Sequence, residues 1–389
     1  MEISKSVAQM KSSYIREILA AATDPNMISL AGGLPAEETF PLKSFEPILA
    51  KMSSEPKIFQ YGSTEGHLPL INYLKQMYHL PAEHSLAITT GSQQGLDLLA
   101  RAYINPGDTI VMESPSYLGA MQVFDFVHAN VLSVKQTQEG PDILELEEVF
   151  SNSLPKLFYA VPDFHNPTGV SWSLKVRKKV AELCIKYNVT LVEDAPYRDL
   201  RFIGENLPLV SEFCMQNSIV LRSFSKTVSP GLRVGVISGK ASYISPIVKI
   251  KQGADLHTSL PIQYLLLGFL NSDSYPAHII NLKSIYSNRY DYLSSLLTAK
   301  LPPNCQFNPI EGGMFIWLEL PQCDPMHIAK ALMSNGVAVV PSNVFYHQSA
   351  SVVPALRLNF TNSTPEDLEK AVDILSLTLH KEFTGSEIG

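Results

Sequence analysis

Residues 218–238, SIVLRSFSKTVSPGLRVGVIS, contain two short apolar segments, 218–223 and 233–238, separated by a polar loop. Similar short apolar segments occur five times earlier in the chain, at 86–90, 109–113, 130–133, 156–161 and 190–194. Most of them are followed by amphipathic helical patterns, as in parallel strands whose two faces are both covered by helices. The sequence therefore predicts an α/β fold with a large domain built on a mostly parallel seven-stranded sheet.

The pattern changes towards the C-terminus. One long amphipathic helix is predicted from about residue 275 to 301, and a smaller α+β segment follows it. We expect residues 46–285 to form the large domain and residues 286–389 to form a small C-terminal domain. Residues 1–45 are too few for a domain, so we expect an N-terminal arm that packs on the small domain or on a partner subunit.

The composition of the 389-residue chain is that of a globular protein, with 45% hydrophobic and 17% charged residues. The formal net charge of -7 gives no electrostatic reason to expect nucleic acid or an anionic membrane as a partner. The four cysteines lack the spacing of a zinc site or a disulfide framework, so we expect no bound metal. No segment resembles a signal peptide or reaches the ~20 apolar residues of a membrane span. These features favour a cytoplasmic protein with small-molecule partners.

A lysine surrounded by hydroxyl groups follows the apolar segment 218–223. Lys226 lies between Ser225 and Thr227, and Arg233 follows seven residues later. A lysine amine can bind a carbonyl compound covalently, and hydroxyls and guanidinium groups bind phosphate oxygens. By itself Lys226 is also compatible with a solvated lysine in a surface loop. The surrounding pattern favours a reactive amine beside a phosphate.

Two further candidate sites follow predicted strands, at the sheet edge where open α/β folds bind ligands. Asp194 ends the segment 190–194, where a buried carboxylate needs a partner such as a protonated ring nitrogen. A helix cap or a turn is the alternative role for this aspartate. Residues 89–95, TTGSQQG, lead into an amphipathic helix whose first backbone amides face an anion. The sequence thus predicts a phosphate cup at residues 89–95, with an ordinary helix cap as the alternative.

Together these motifs resemble those of the fold type I aminotransferases of class I and II, which depend on pyridoxal 5'-phosphate (PLP). The matching segments are 29–35 (SLAGGLP), 61–66 (YGSTEG), 91–95, 163–169 (DFHNPTG), 192–197, 223–235, 251–258 (KQGADLHT), 311–321 (EGGMFIWLELP) and 356–360 (LRLNF). SLAGGLP and KQGADLHT are most similar to the branch that contains bacterial 2-aminoadipate aminotransferase and mammalian kynurenine/aminoadipate aminotransferase. The resemblance implies the fold type I architecture, PLP as cofactor and a homodimer with shared active sites.

The resemblance also implies the roles of the cofactor-binding residues. Lys226 is expected to bind PLP as a Schiff base and to carry protons, and Asp194 is expected to contact the pyridine nitrogen. Asn166 and Tyr197 match the residues on the phenolic oxygen, and Tyr117 matches the aromatic residue that stacks on the ring. The implied phosphate ligands are Ser92, Gln93, Ser223, Ser225, Arg233 and, from a partner subunit, Tyr61. Lys226, Asp194 and Tyr197 are the expected catalytic residues.

Substrate binding follows from the same resemblance. Arg357 matches the residue that binds the substrate α-carboxylate, a task suited to a planar and permanently charged donor. Asn166 and Gly33 are expected beside it. Arg16 resembles an arginine that contacts the distal carboxylate in the aminoadipate enzyme, and a solvated arginine paired with Glu17 is the alternative. His165, Asp255 and His257 also lie in matching segments and are expected to orient their neighbours.

The implied reaction transfers an α-amino group between an L-amino acid and a 2-oxo acid such as 2-oxoglutarate. The candidate donors are 2-aminoadipate, glutamate and aromatic, branched or apolar amino acids. Ping-pong kinetics through pyridoxamine phosphate are expected, with Lys226 moving the proton at the substrate Cα. A PLP-dependent lyase or decarboxylase is one alternative, which an arginine on the α-carboxylate disfavours. A non-catalytic PLP or amino-acid sensor is another, but such regulators normally have a helix-turn-helix domain before their aminotransferase-like motifs, which here start by residue 29.

Overall fold

A large sheet with helices on both faces forms the centre of the molecule. A computed structural model describes residues 2–3, 7, 18, 24, 26–321, 323–347 and 352–385. The described strands are β1 (Ile28–Ser29), β2 (His84–Thr89), β3 (Thr109–Ser114), β4 (Asn130–Thr137), β5 (Gly140–Pro141), β6 (Leu157–Ala160), β7 (Thr190–Asp194), β8 (Ser218–Ser223), β9 (Gly235–Lys240), β10 (Phe315–Glu319), β11 (Val337–Ala338), β12 (Val340–Pro341) and β13 (Ala355–Asn359). The longer described α-helices are α1 (Leu42–Met52), α2 (Leu68–Met77), α3 (Ser92–Tyr103), α4 (Leu118–Phe126), α5 (Ile143–Ser153), α6 (Leu174–Lys186), α7 (Ala241–Ala254), α8 (Leu260–Leu270), α9 (Ser274–Lys300), α10 (Pro325–Ser334) and α11 (Pro365–Gly385).

Eight of the described strands form the large sheet, in the order β2-β9-β8-β7-β6-β3-β4-β5. The strands from β8 to β4 pair in parallel, whereas β9 is antiparallel to both of its neighbours and β5 is antiparallel to β4. The predicted mostly parallel sheet is therefore confirmed. It has one strand more than predicted, because the two-residue β5 is too short to produce a hydrophobic period.

The predicted strand positions agree with the structure, and two strands, β7 and β8, have the predicted bounds. Strand β9 begins at Gly235 instead of residue 233. The reason is local: Arg233 has a left-handed φ of 53° and follows the short 3-10 helix Pro230–Leu232, so the chain becomes extended only after it.

Helices cover both faces of the large sheet, as expected for strands that are apolar on both sides. On one face, Val111 and Phe158 pack with Phe150 of α5 and Val180 of α6. The neighbouring side chain of Met112 belongs to the core on the opposite face, which includes residues of α3, α4 and α9. A third cluster joins β2 and β9 to α1, α2 and α8.

A smaller antiparallel sheet, β10-β13-β12, follows the 27-residue helix α9, which lies where the long helix was predicted. Strand β1 pairs in parallel with β11, and the amide of Asn359 donates to the carbonyl of Leu30 at 2.8 Å. The segment around β1 therefore packs on the C-terminal part. The domain boundaries near residues 45 and 285 stay predictions. In the described ranges, no helix has the length and apolar character that crossing a membrane requires.

Candidate active site

A cavity of about 530 Å³ lies at the carboxyl ends of β6, β7 and β8. Parallel strands end at the same edge of a sheet, so residues that are far apart in the sequence meet there. The predicted site residues that line the cavity are Gly33, Ser92, Gln93, Tyr117, Asn166, Asp194, Tyr197, Ser223, Ser225, Lys226, Arg233 and Arg357. The structure therefore brings together most of the residues that the sequence singled out.

The amine of Lys226 projects into this cavity from the loop after β8. Its Nζ donates a hydrogen bond to the carbonyl of Gly33 at 2.6 Å. Burial of the amine lowers the pKa of Lys226 to about 8, and the positive charges of Arg357 and Arg233 act in the same direction. A lysine with such a pKa has a substantial uncharged fraction near neutral pH, and the uncharged amine is the nucleophilic and proton-accepting form.

Asp194 ends β7 with its carboxylate buried in the floor of the cavity. One oxygen accepts a hydrogen bond from the hydroxyl of Tyr159 at 2.8 Å, and the other has no partner among the described residues. Burial raises the pKa of Asp194 to about 7, although the Tyr159 bond opposes this shift. A buried carboxylate oxygen without a partner is costly, so the site favours a ligand that donates a hydrogen bond or carries a positive charge there.

Arg357, in β13, is buried between two aromatic rings. Its guanidinium lies 4.3 Å from the ring centre of Phe315 and 5.1 Å from that of Phe345. It donates to Asn166 Oδ1 at 2.8 Å and to the carbonyl of Ala31, whereas its Nε has no partner among the described residues. No carboxylate of the described residues pairs with it, and burial lowers its pKa to about 10. This buried cation is suited to a carboxylate ligand.

The phosphate cup at residues 89–95 surrounds the N-terminus of α3. Gly91 has a left-handed φ of 78°, and a Cβ added there would lie 2.5 Å from a guanidinium nitrogen of Arg233. A Cβ at Gly235 would lie 2.4 Å from the backbone of Gly91. Glycine at 91 therefore leaves room for Arg233 beside the helix N-terminus, and glycine at 235 lets strand β9 approach the backbone of Gly91. The guanidinium of Arg233 also donates a hydrogen bond to the Ser225 hydroxyl at 3.5 Å. A positive charge, a hydroxyl and the N-terminus of a helix dipole therefore converge on one anion site.

Tyr117 and Tyr197 complete the walls of the cavity. The hydroxyl of Tyr117 donates to Gln93 Oε1 at 3.2 Å, and burial raises its pKa to about 12. The hydroxyl of Tyr197 accepts a hydrogen bond from the Asn166 amide at 3.3 Å. Burial raises the pKa of Tyr197 well above its usual value, so this hydroxyl keeps its proton at neutral pH. Both side chains are thus neutral hydrogen-bonding groups in the cavity that holds Lys226.

One predicted site residue does not line the cavity, and another cannot be placed. Tyr61 is 79% exposed, does not line the cavity, and contacts His257 at 5.9 Å between ring centres. Arg16 lies outside the described residues. The contribution of Tyr61 to a partner's site and the contact of Arg16 with a substrate therefore stay predictions.

The residues that line the cavity fit PLP. The unpaired oxygen of Asp194 is suited to a protonated pyridine nitrogen, and the phosphate cup with Arg233 is suited to the phosphate. The amine of Lys226 faces the same cavity and is suited to the carbonyl carbon of the cofactor. A Cβ at Gly33 would lie 3.3 Å from the ring of Phe315, which is a tight contact, and 3.8 Å from the Lys226 amine, which is an ordinary van der Waals distance.

The sequence did not identify three side chains that support the site. Tyr159 binds Asp194, and Phe315 and Phe345 sandwich Arg357. Tyr159 and Phe315 lie inside apolar strands, where their pattern is that of ordinary core residues. Only the pairing of β6 with β7, and of β10 with β13, brings them to the polar groups. In the described residues, no group of three or more His, Cys, Asp or Glu side chains is placed to bind a metal ion.

Comparison with known proteins identifies the family of this chain. The family described as aminotransferase class I and II matches residues 25–375. An aromatic-amino-acid aminotransferase of Thermococcus litoralis is 33% identical, with 96% of this chain and 93% of the relative covered. A 2-aminoadipate transaminase of Thermus thermophilus is 32% identical over 96% of both chains. The crystal structure of a Pyrococcus horikoshii kynurenine aminotransferase in complex with PMP is 33% identical, with a TM-score of 0.93 over 98% of this chain and 97% of the other.

Proposed function

Since the chain belongs to the class I and II aminotransferases, which are PLP-dependent transaminases of fold type I, we propose the following substrates. The enzyme transfers the α-amino group of 2-aminoadipate, glutamate or an aromatic, branched or apolar L-amino acid to a 2-oxo acid such as 2-oxoglutarate. The names of its relatives, an aromatic-amino-acid aminotransferase and a 2-aminoadipate transaminase, support this range.

One observation carries the proposal. A lysine amine, a buried carboxylate oxygen and a buried guanidinium face the same cavity, and among the described residues the oxygen has no hydrogen-bond partner and the guanidinium has no carboxylate partner. They belong to Lys226, Asp194 and Arg357. PLP, when bound, supplies an electrophilic carbonyl carbon and a ring that withdraws electrons from the substrate Cα. A site with these three groups can bind the cofactor, hold an amino acid by its carboxylate and move a proton at its Cα.

Each protein group has a distinct task in this proposal. Asp194 keeps the pyridine nitrogen protonated by offering it a buried negative charge, and Tyr159 holds that carboxylate in place. Tyr197 and Asn166 orient the ring through its phenolic oxygen. Lys226, with a pKa of about 8, would remove a proton from the substrate Cα and deliver it to the carbon of the cofactor that carried the aldehyde. The two substrates then react in turn at one site, which gives ping-pong kinetics.

Arg357 favours transfer over the alternative reactions on this scaffold. A buried guanidinium stabilises the charged α-carboxylate and thereby disfavours its loss as carbon dioxide. The bond of the substrate that is positioned to break is then the Cα–H bond. Two arginines of the described residues line the cavity, and Arg233 belongs to the phosphate cup. Decarboxylation would therefore require the substrate carboxylate to leave Arg357, the other one. The geometry therefore favours a transaminase over a decarboxylase or lyase.

The substrate side of the cavity has mainly apolar walls, which include Ile18, Leu118, Val340 and Phe345. Apolar walls are suited to aromatic and aliphatic amino-acid side chains. A second carboxylate, as in glutamate or 2-aminoadipate, needs an additional cation or donor, because Arg357 is assigned to the α-carboxylate. We assign this task to Arg16, as the sequence predicted.

We further propose that two chains form a homodimer with shared active sites, in which Tyr61 reaches the phosphate of the partner. Its exposure of 79% supports a role outside its own cavity. Exposed apolar side chains of Phe59 and Leu68 lie close to it in the sequence and are available for such an interface. A cytoplasmic location stays a prediction from composition.

A half-reaction panel tests the proposed function. Single amino acids are added to the PLP-loaded protein, and the absorption of the bound cofactor and the released products are followed. Conversion to the amine form of the cofactor with glutamate, 2-aminoadipate or phenylalanine would establish the transaminase and rank its substrates. Release of carbon dioxide or pyruvate without such conversion would favour a lyase. Binding without chemistry would favour a sensor.

A further inference from the structure

A polar cluster with a buried lysine lies behind the phosphate cup, outside the cavity. It consists of Lys251 in the last turn of α7, Asp255 just after that helix, and Gln94 at the start of α3. The Lys251 side chain is 1% exposed, and its Nζ lies 2.7 and 2.8 Å from the two oxygens of Asp255. The same Nζ donates to Gln94 Oε1 at 3.2 Å, and Gln94 Nε2 donates to Asp255 at 2.7 Å. These bonds join the three side chains into one closed network.

The network is linked to the backbone that forms the phosphate cup. Gln94 Oε1 accepts a hydrogen bond from the amide of Thr90 at 2.7 Å. The carbonyl of Thr90, in turn, accepts from the guanidinium of Arg233 at 3.3 Å. The peptide groups on both sides of Thr90 therefore connect Lys251 and Asp255 to the arginine of the cup.

Burying a lysine side chain costs free energy, because its ammonium group loses its hydration. Here the three N–H donors of Lys251 are matched by two carboxylate oxygens and one amide oxygen. An apolar side chain of similar volume would fill the same position without any need for Asp255. The ion pair therefore serves to orient the side-chain amide of Gln94. Through Gln94 it also holds the backbone of Thr90 behind the cup.

We propose that Lys251, Asp255 and Gln94 are positioning residues that hold the phosphate cup in the shape that binds the cofactor phosphate. None of them lines the cavity. They act through Thr90, which orients Arg233, and through the start of α3, whose first residues Ser92 and Gln93 do line it. The inference rests on the proposed assignment of the cup to the phosphate of PLP.

The test separates the phosphate from the rest of the cofactor. Lys251→Met is prepared in its cofactor-free form and titrated with PLP and with pyridoxal, which lacks the phosphate, while the absorption of the bound aldehyde is followed. We expect the Kd for PLP to rise about tenfold, equivalent to about 1.4 kcal/mol. The Kd for pyridoxal is expected to change by less than about twofold, since pyridoxal does not use the cup.

Asp255→Asn is the second variant, because it keeps the size of the side chain and removes only the charge that pairs with Lys251. It tests the same ion pair if Lys251→Met does not fold. The matched control is Asp97→Asn, which breaks another ion pair of i,i+4 spacing on α3, 3.0 Å from Arg101 and more than a third exposed. This control is expected to leave the Kd for both aldehydes within about twofold, because an exposed pair contributes little.

Three outcomes would count against the proposal in different ways. Equal affinity of the unmodified protein for PLP and pyridoxal would refute the assignment of the cup itself. If the unmodified protein binds PLP more tightly than pyridoxal, and Lys251→Met and Asp255→Asn show the same ratio of the two Kd values, the positioning role would be overturned. Parallel losses for PLP and pyridoxal, together with a lower melting temperature, would also overturn it, because they indicate a general structural role.

Discussion

Replacing Arg357 by methionine is expected to remove most of the activity without destabilising the cofactor-free protein. This contrast follows from the surroundings of the guanidinium, which is buried, stacked between two aromatic rings and not paired with a carboxylate of the described residues. In the proposed function, this guanidinium is buried in order to bind a ligand and not to stabilise the fold. The two effects therefore have opposite signs and can be measured separately.

The stability effect can be worked out from the pKa. Burial lowers the pKa of Arg357 to about 10, well below its usual value, and a pKa change of one corresponds to about 1.4 kcal/mol, so the buried charge costs roughly 3 kcal/mol. This cost is present at every pH below about 10, where the folded and unfolded chains are both protonated, and it declines as the pH rises above about 10. Methionine removes it, but it leaves Asn166 Oδ1 and the Ala31 carbonyl without a donor, at about 1 kcal/mol each. The expected net change is a gain of zero to about 1 kcal/mol.

The activity effect is much larger. Truncating one partner of a buried, hydrogen-bonded charge pair typically costs about 2–5 kcal/mol, or roughly 30- to 5000-fold in kcat/KM. Every amino-acid substrate has an α-carboxylate, so the loss is expected to be the same for 2-aminoadipate and for phenylalanine. Lysine is not expected to restore activity, because it lacks the planar pair of donors.

The assays are urea unfolding of the cofactor-free protein at one fixed concentration, and kcat/KM with both substrates. Arg177→Met is the matched control, since Arg177 is also fully buried but lies 2.6 Å from Asp163. Its removal weakens the pairing of the buried Asp163, which keeps Arg198 at 3.3 Å, and leaves three backbone carbonyls without the donor they have now, so we expect a loss of about 3 kcal/mol. A loss of more than about 2 kcal/mol for Arg357→Met would contradict the assignment of this arginine to a ligand. An activity loss that depends on the substrate side chain would contradict its assignment to the α-carboxylate.

Four further predictions address the cofactor and the substrate. Lys226→Ala should abolish turnover and the absorption of covalently bound PLP while the near-ultraviolet circular dichroism stays native; retention of both signals would contradict the assignment of the lysine. In the unmodified protein the rate of reaction with pyridoxal should rise with pH through about 8, because burial lowers the pKa of Lys226 and only the uncharged amine reacts; a stopped-flow profile that is flat from about pH 6.5 to 9.5 would exclude this role for the shift. Gly91→Ala should weaken PLP binding at least about tenfold in a cofactor titration, since the added Cβ would lie 2.5 Å from Arg233, and an unchanged Kd would show that the cup does not need this approach. Arg16→Ala should lower kcat/KM for 2-aminoadipate and glutamate more than for leucine or kynurenine, and equal losses would exclude a role in selectivity.

The sequence predicted the fold well because the strands are continuous apolar runs with turn residues at their ends. Strands β7 and β8 have the predicted bounds, and the helix predicted from residue 275 to 301 is Ser274–Lys300. The expectation that ligands bind at the carboxyl ends of parallel strands located two site residues. Asp194 ends β7, and Lys226 lies in the loop after β8. The start of β9 and the two-residue β5 were not predicted, because they depend on a left-handed residue and on sheet pairing.

The chemistry of the site is set by the sequence alone: which residues can form a covalent bond, accept a proton, bind a phosphate or bind a carboxylate. Tertiary structure decides how these groups are tuned. The Lys226 amine reaches the carbonyl of Gly33, 193 residues away, and Arg357 reaches Asn166, 191 residues away. The pKa of a buried group depends on desolvation and on nearby charges, and both are set by neighbours that are distant in the chain. The sequence names the kind of side chain at each position, but only packing places Tyr159 on Asp194 or Lys251 behind the phosphate cup.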